Sequence, residues 1–162
     1  MTVIVDTSIF FAFYSIKDKY HLDSLAIVAH ALEGKWGRIL ITNHILDEVL
    51  TLLKYRISPR TAEIFIKVFI KNHLIEVMYT DERLEKQALN VFRQFIYKKG
   101  LSYTDTITVV MMREYNIGYL LSFDIRSFSG IIENLIGPNY WQVLSEEEQQ
   151  KVLRLARKFQ AY

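Results

Sequence analysis

The stretch Thr2-Val3-Ile4-Val5-Asp6-Thr7-Ser8-Ile9-Phe10-Phe11 decides how the rest of the chain is read. Val3, Ile4 and Val5 form a short β-branched run of the kind that reads as a strand buried on both faces. Asp6, Thr7 and Ser8 interrupt it, and from Ile9 to Tyr14 an apolar, helix-compatible pattern resumes. A buried central strand is therefore expected to end in a carboxylate and two hydroxyls at a helix start. In open α/β sheets that end of a central strand is where ligands bind. Asp and Ser are also preferred helix caps, so this stretch alone leaves both roles open.

Working outward, strands and helices alternate. His21 to Lys35 reads as a helix, and Arg38 to Ile41 as a second strand. Thr42-Asn43 marks the start of a helix reaching about Arg56. Ser58 and Pro59 cap and open another helix, to about Asn72. Leu74 to Met78 reads as a third strand, Thr80-Asp81 as the start of a long helix to about Lys99, and Thr104-Asp105 as the start of the next. Tyr119 to Ser122 reads as a fourth strand that ends at Phe123-Asp124. Ile125 to Pro138 shows no clear period, and Tyr140 to Leu144 is expected to be a last short strand. Ser145 with Glu148 resembles a capping box before a C-terminal helix. The alternation implies a parallel sheet in an α/β sandwich.

The bulk properties agree. The chain has 162 residues, 51% hydrophobic and 23% charged, which fits one domain, 1–162, and not a disordered chain. A net charge of +2 permits a nucleic-acid partner without demanding one. There is no cysteine, so disulfides and thiolate metal sites are excluded. No signal peptide is visible, and no apolar run approaches the roughly 18 residues of a membrane span. A cytoplasmic location is the expectation.

Four acids stand in unusual places. Asp6 and Asp124 each follow an apolar strand directly. Asp105 opens a strongly apolar helix, and Glu48 shares the apolar side of its helix with Ile45 and Leu52. Burying a carboxylate is costly unless it is paired, and no Lys or Arg lies in register beside Glu48 or Asp105. A divalent cation with oxygen ligands offsets the mutual repulsion of such a group. Mg²⁺ and Mn²⁺ held this way serve hydrolysis of phosphodiesters. The histidines His21, His30, His44 and His73 have no zinc-ligand spacing; only His44, one turn before Glu48, is placed to line the pocket.

Val5-Asp6-Thr7-Ser8 resembles the opening motif of PIN-domain nucleases. Thr42 through Leu46-Asp47-Glu48-Val49 resembles the second motif, Leu101-Ser102-Tyr103-Thr104-Asp105 the third, and Leu121-Ser122-Phe123-Asp124 with Phe128 the fourth. Many members of the family are VapC-type ribonuclease toxins of toxin–antitoxin pairs. The resemblance implies a three-layer α/β/α sandwich around a parallel five-stranded sheet of order 3-2-1-4-5. It implies a metal-dependent ribonuclease acting on RNA, single-stranded RNA being expected, with Mg²⁺ or Mn²⁺ as cofactor. Asp6 and Asp105 would hold the metal, and Glu48 and Asp124 would complete the acidic pocket. Ser8 and Thr104 match hydroxyl positions that orient the carboxylates or bound water. Family members often carry a further acid just after the fourth motif; here Ile125-Arg126-Ser127 stands there, and Arg126 is a candidate for a substrate phosphate. The helix from about 145 looks like an addition to the family core. The alternative is a non-catalytic PIN-like module that binds RNA or a protein.

Two further expectations concern partners. The apolar circumference of Ile64 to Ile70 predicts a homodimer, and kinship with the toxins predicts an antitoxin protein. Lys151, Arg154 and Lys158 form a second candidate stripe for RNA on the C-terminal helix.

Overall fold

The computed structural model describes residues 1–160. Five parallel strands form one sheet in the order β3-β2-β1-β4-β5. They are β1 (Thr2–Val5), β2 (Arg38–Thr42), β3 (Glu76–Met78), β4 (Tyr119–Leu121) and β5 (Leu135–Ile136). Along β1, Val3, Ile4 and Val5 are all buried. Successive side chains on a strand point to opposite faces, so both faces of the central strand are covered by helices, and the architecture has three layers.

The helices are α1 (Thr7–Tyr14), α2 (His21–Leu32), α3 (Asn43–Leu52), α4 (Pro59–Phe65), α5 (Glu82–Gln94), α6 (Tyr103–Glu114), α7 (Ile125–Phe128) and α8 (Glu146–Gln160). Local chemistry sets most of their starts. Thr42 caps α3 by accepting from Ile45 N, Ser58 caps α4 with Pro59 at the first helical position, and Asp81 caps α5. The Ser145 hydroxyl accepts from Glu148 N at 3.2 Å while Ser145 N donates to the Glu148 carboxylate at 3.1 Å, completing the expected capping box. The stretches Leu53–Ile57 and Ile66–Ile70 are π-helical and continue α3 and α4.

Two expectations are corrected. The last strand is Leu135–Ile136 and not Tyr140 to Leu144, where Trp141–Val143 forms a 3₁₀ turn instead. The cause is a buried acid: Asp23 on α2 accepts from Asn139 N and Trp141 N, tying that segment to the helix layer and away from the sheet edge. A two-residue strand is too short to leave an alternating pattern. It can lie close to β4 because residue 137 is Gly: a Cβ there would sit 2.1 Å from the Ser122 carbonyl oxygen. The helix expected to run to Lys99 stops at Gln94. The apolar segment of α4 and its π turn divides between core and surface. Phe65, Val68 and Phe69 are core residues, with Phe65 and Phe69 packed edge to face on Phe10. Much of its apolar surface is thus used inside the protein, while Ile64, Ile66 and Ile70 remain half-buried.

Helix α8 buries Val152 and Ala156 and packs on α2, and Lys151 pairs with Glu33 at 2.6 Å.

Candidate active site

Strand register brings the first and fourth motifs together. Val5 pairs with Leu121 across β1 and β4, so Asp6 and Ser122 leave the sheet side by side. Asp6 is the N-cap of α1, accepting from Ser8 N at 3.3 Å. Its Oδ2 also accepts from the hydroxyls of Ser8 at 2.6 Å and Ser122 at 2.8 Å. Those hydroxyls accept in turn from Phe123 N and Asp124 N, both at 3.0 Å. The cap role open at Asp6 is therefore filled through one oxygen, and the other is free of hydrogen bonds among the described residues.

The same division recurs at two more acids. Glu48, half-buried on α3, accepts from the Thr7 hydroxyl through Oε2 at 2.9 Å. Asp105 stands at the third position of α6, in a capping box with Ser102: Ser102 N donates to Asp105 Oδ2 at 2.7 Å and Asp105 N donates to the Ser102 hydroxyl at 3.1 Å. The helix cap is thus Ser102, two residues earlier than expected. The remaining oxygens, Asp6 Oδ1, Glu48 Oε1 and Asp105 Oδ1, have no hydrogen bond among the described residues. They are not sealed from solvent, since Tyr14 Oη is the one buried side-chain polar atom among the described residues without a partner. Asp124 differs, because both of its oxygens are engaged by Ser127, through N at 3.0 Å and Oγ at 2.5 Å.

The acids sense one another. Burial pushes the Asp6 carboxyl above its ordinary range; the Ser8 and Ser122 hydrogen bonds oppose this, and the Glu48 charge adds to it. Burial likewise pushes Asp105 up to about 6; the Ser102 N–H pulls the other way, while the charges of Asp6 and Asp124 raise it further. One element from each of the four motifs, β1–α1, α3, α6 and the β4–α7 turn, thus meets at the carboxyl end of the central strands.

Could these residues hold a divalent metal? Among the described residues, no three His, Asp or Glu side chains already form a metal-binding group. Mg²⁺, however, keeps several waters and is usually held through one or two carboxylates. Asp6 and Asp105 supply two buried carboxylates, each anchored through one oxygen and bare at the other. That donor set fits such an ion.

The expected supporting residues divide. Ser8 grips Asp6, as expected. The Thr104 hydroxyl makes no hydrogen bond to any of the acids, and Ser102 holds Asp105 instead. Arg126 lies exposed on α7 with no carboxylate partner among the described residues. Of the C-terminal stripe, Lys151 is already paired with Glu33. His44 lies one turn before Glu48, as the sequence places it, but its ring is engaged by Glu85 at 2.7 Å and has no hydrogen bond to the four acids among the described residues. Thr7, Ser102, Ser122 and Ser127 were missed as site residues. Each sits inside or beside a quoted motif, but only strand register and helix-cap geometry show that each holds one acid.

Comparison with known proteins gives the family. The PIN domain model matches residues 3–132. A VapC ribonuclease of Archaeoglobus fulgidus is 47% identical over 157 residues, covering 97% of this chain and 96% of the relative. The crystal structure of Mycobacterium tuberculosis VapC20, a toxin that cleaves the sarcin-ricin loop, superposes with a TM-score of 0.67 at 24% identity, covering 81% of this chain and 97% of that one; at that identity it speaks for the fold. The chain belongs to the PIN-domain family.

Proposed function

We propose that this chain is a VapC-type endoribonuclease that hydrolyses phosphodiester bonds of RNA with Mg²⁺ or Mn²⁺. The observation that carries this is the meeting of Asp6, Glu48, Asp105 and Asp124 at the carboxyl end of the central strands, with three of them bare at one oxygen. The 47% identical VapC ribonuclease supports the substrate class. Asp6 and Asp105 would hold the cation. When bound, such an ion activates water and stabilises the leaving oxygen.

The chain's own residues do the positioning. Ser8 and Ser122 fix the rotamer of Asp6 by holding Oδ2, which leaves Oδ1 aimed outward. Thr7 does the same for Glu48, whose Oε1 is an acceptor for a proton released at the site. Ser127 saturates Asp124, so Asp124 contributes charge more than a free ligand atom. Arg126, exposed and without an acidic partner among the described residues, meets a substrate phosphate.

VapC kinship supports an antitoxin partner and a cytoplasmic location; among the described residues no helix is long and apolar enough to cross a membrane. Half-buried Ile64, Ile66 and Ile70 support a homodimer contact. The helical segment from about 145 joins the same domain, through the packing of α8 on α2.

Cleavage of single-stranded RNA by the purified protein tests the reading. It is expected with Mn²⁺, absent with excess EDTA, and reduced at least about 100-fold in Asp6→Asn. RNA or protein binding without cleavage by wild type would leave the chain a non-catalytic module.

A further inference from the structure

On the helices that carry the acidic pocket hangs another anion, half-buried and built in the opposite way. Glu85, in the first turn of α5, accepts through Oε1 from the Thr80 hydroxyl at 2.5 Å and pairs there with His44 Nε2 at 2.7 Å. Its Oε2 accepts from the Tyr103 hydroxyl at 2.6 Å. A carboxylate only accepts, so His44 Nε2 carries the proton. Thr80 is itself fixed, since its N–H donates to Asn43 Oδ1 at 3.0 Å. The His44 and Tyr103 rings meet edge to face with centroids 5.8 Å apart, and Phe92 backs Tyr103 at 6.0 Å.

Two of the three donors, His44 and Tyr103, come from the two helices that carry pocket acids. His44 lies in the first turn of α3, one helical turn before Glu48 and on the same face. Tyr103 opens α6 two residues before Asp105. Thr7 fixes Glu48 to α1, and Ser102 fixes Asp105 within α6. Neither bond sets the distance between the two acids. Among the described residues, the one anion that receives a donor from both helices is Glu85.

We propose that Glu85 is a positioning residue for the pocket, holding Glu48 and Asp105 at their working separation by binding His44 and Tyr103 at once. This rests on the reading of the pocket as a metal-dependent ribonuclease site. Glu85 touches neither substrate nor metal, because both of its oxygens are engaged within the protein. Burial tends to raise its carboxyl, but the hydrogen bonds from Thr80, Tyr103 and His44 together outweigh burial and bring it down to about 2. It is therefore a permanent anion, a fixed anchor for the two donors.

Two substitutions test this. Tyr103→Phe removes one hydroxyl and keeps the ring against His44 and Phe92. Glu85→Gln keeps the shape and removes the charge. Mn²⁺ affinity is measured by electron paramagnetic resonance titration, and kcat and KM on single-stranded RNA, all well below the melting temperature. Each variant is expected to lose about tenfold in Mn²⁺ affinity and in kcat, with KM nearly unchanged. The double variant should be little worse than the stronger single one, because the two residues act as a unit. His44→Gln, which still presents a donor to Glu85, should retain more kcat than His44→Ala. A lowered melting temperature with wild-type Mn²⁺ affinity and kcat would overturn the proposal, and Tyr103→Phe decides alone if Glu85→Gln does not fold. Wild type that neither binds Mn²⁺ nor cleaves RNA defeats the ribonuclease reading itself; wild type that does both, beside indistinguishable variants, defeats only the role of Glu85.

Discussion

Glu85 and Asp105 are acids on neighbouring helices whose protons behave in opposite ways. Glu85 is partly buried, yet three donors bring its carboxyl down to about 2. Asp105 is buried with one N–H donor on one oxygen, and burial together with Asp6 and Asp124 pushes it up to about 6. Burial raises both; at Glu85, the less deeply buried, three donors and the His44 charge outweigh it, whereas at Asp105 one N–H does not and two like charges add to it. A carboxylate short of donors gains by taking up a proton or a cation, whereas one with its lone pairs engaged gains from neither. The first condition describes the proposed site and the second its scaffold.

The largest test of this contrast is the stability of the metal-free protein. Asp105 keeps its proton up to about pH 6 in the native state and loses it near 3.8 when unfolded. Between those values the native state binds more protons, so stability falls as pH rises and stays reduced above about 6. A difference of about two pK units corresponds to roughly 3 kcal/mol. Asp6, also raised, acts in the same direction. Asp105→Asn removes the charge and keeps the shape. In EDTA at pH 7 it is expected to melt at the same or a higher temperature than wild type, with a flatter profile between pH 4 and 6. Mn²⁺ should narrow or reverse that order, because wild type gains more from binding. Thermal melts from pH 4 to 7, with EDTA and with Mn²⁺, measure both. A variant destabilised equally under the two conditions would show that Asp105 only supports its helix.

Glu85 should show the opposite limb. Its folded value lies below the ordinary 4.5, so its contribution is complete above about 4.5 and is lost as pH falls toward 2. The side chain is 32% exposed, and solvent screening brings the expected contribution down to about 1 kcal/mol. Glu85→Gln should therefore be less stable than wild type by about that amount at pH 6, with the gap closing toward pH 2. A gap that stays constant across this range would mean that the charge of Glu85 contributes nothing and the contrast with Asp105 fails.

Much of this arrangement was legible in the chain. The β-branched run Val3 to Val5, ended by Asp6, placed the central strand, and apolar runs placed three of its partners. The four acids stood out because each interrupts an apolar pattern. What could not be read depended on distant partners. β5 is two residues long, and the segment expected to be a strand is held elsewhere by Asp23 on α2. Thr104 and Ser102 are both hydroxyls before Asp105, and only the cap geometry selects Ser102. Glu85 stands in the first turn of α5, where acids are ordinary. Its role comes from His44, Thr80 and Tyr103, which helical spacing within α5 does not reveal.

The smallest expected effect belongs to a cation. Arg38, Arg83, Lys86 and Lys151 are each matched with a Glu. Arg126 is exposed two residues after Asp124, whose own oxygens are taken by Ser127, so no acid among the described residues holds it. A phosphodiester entering a pocket of four carboxylates meets repulsion, and a free guanidinium at its rim offsets part of that. A single-strand phosphate contact contributes about 0.7 to the slope of log affinity against log salt. Arg126→Ala is therefore expected to lower that slope by about 0.7 and to weaken binding of single-stranded RNA by about tenfold or less at low salt. Lys151→Ala, which breaks a pair with Glu33, should leave the slope unchanged. Binding is measured with the Asp6→Asn background so that the RNA is not consumed. An unchanged slope for Arg126→Ala would place the phosphate path elsewhere, and an effect of Lys151→Ala would move it to α8.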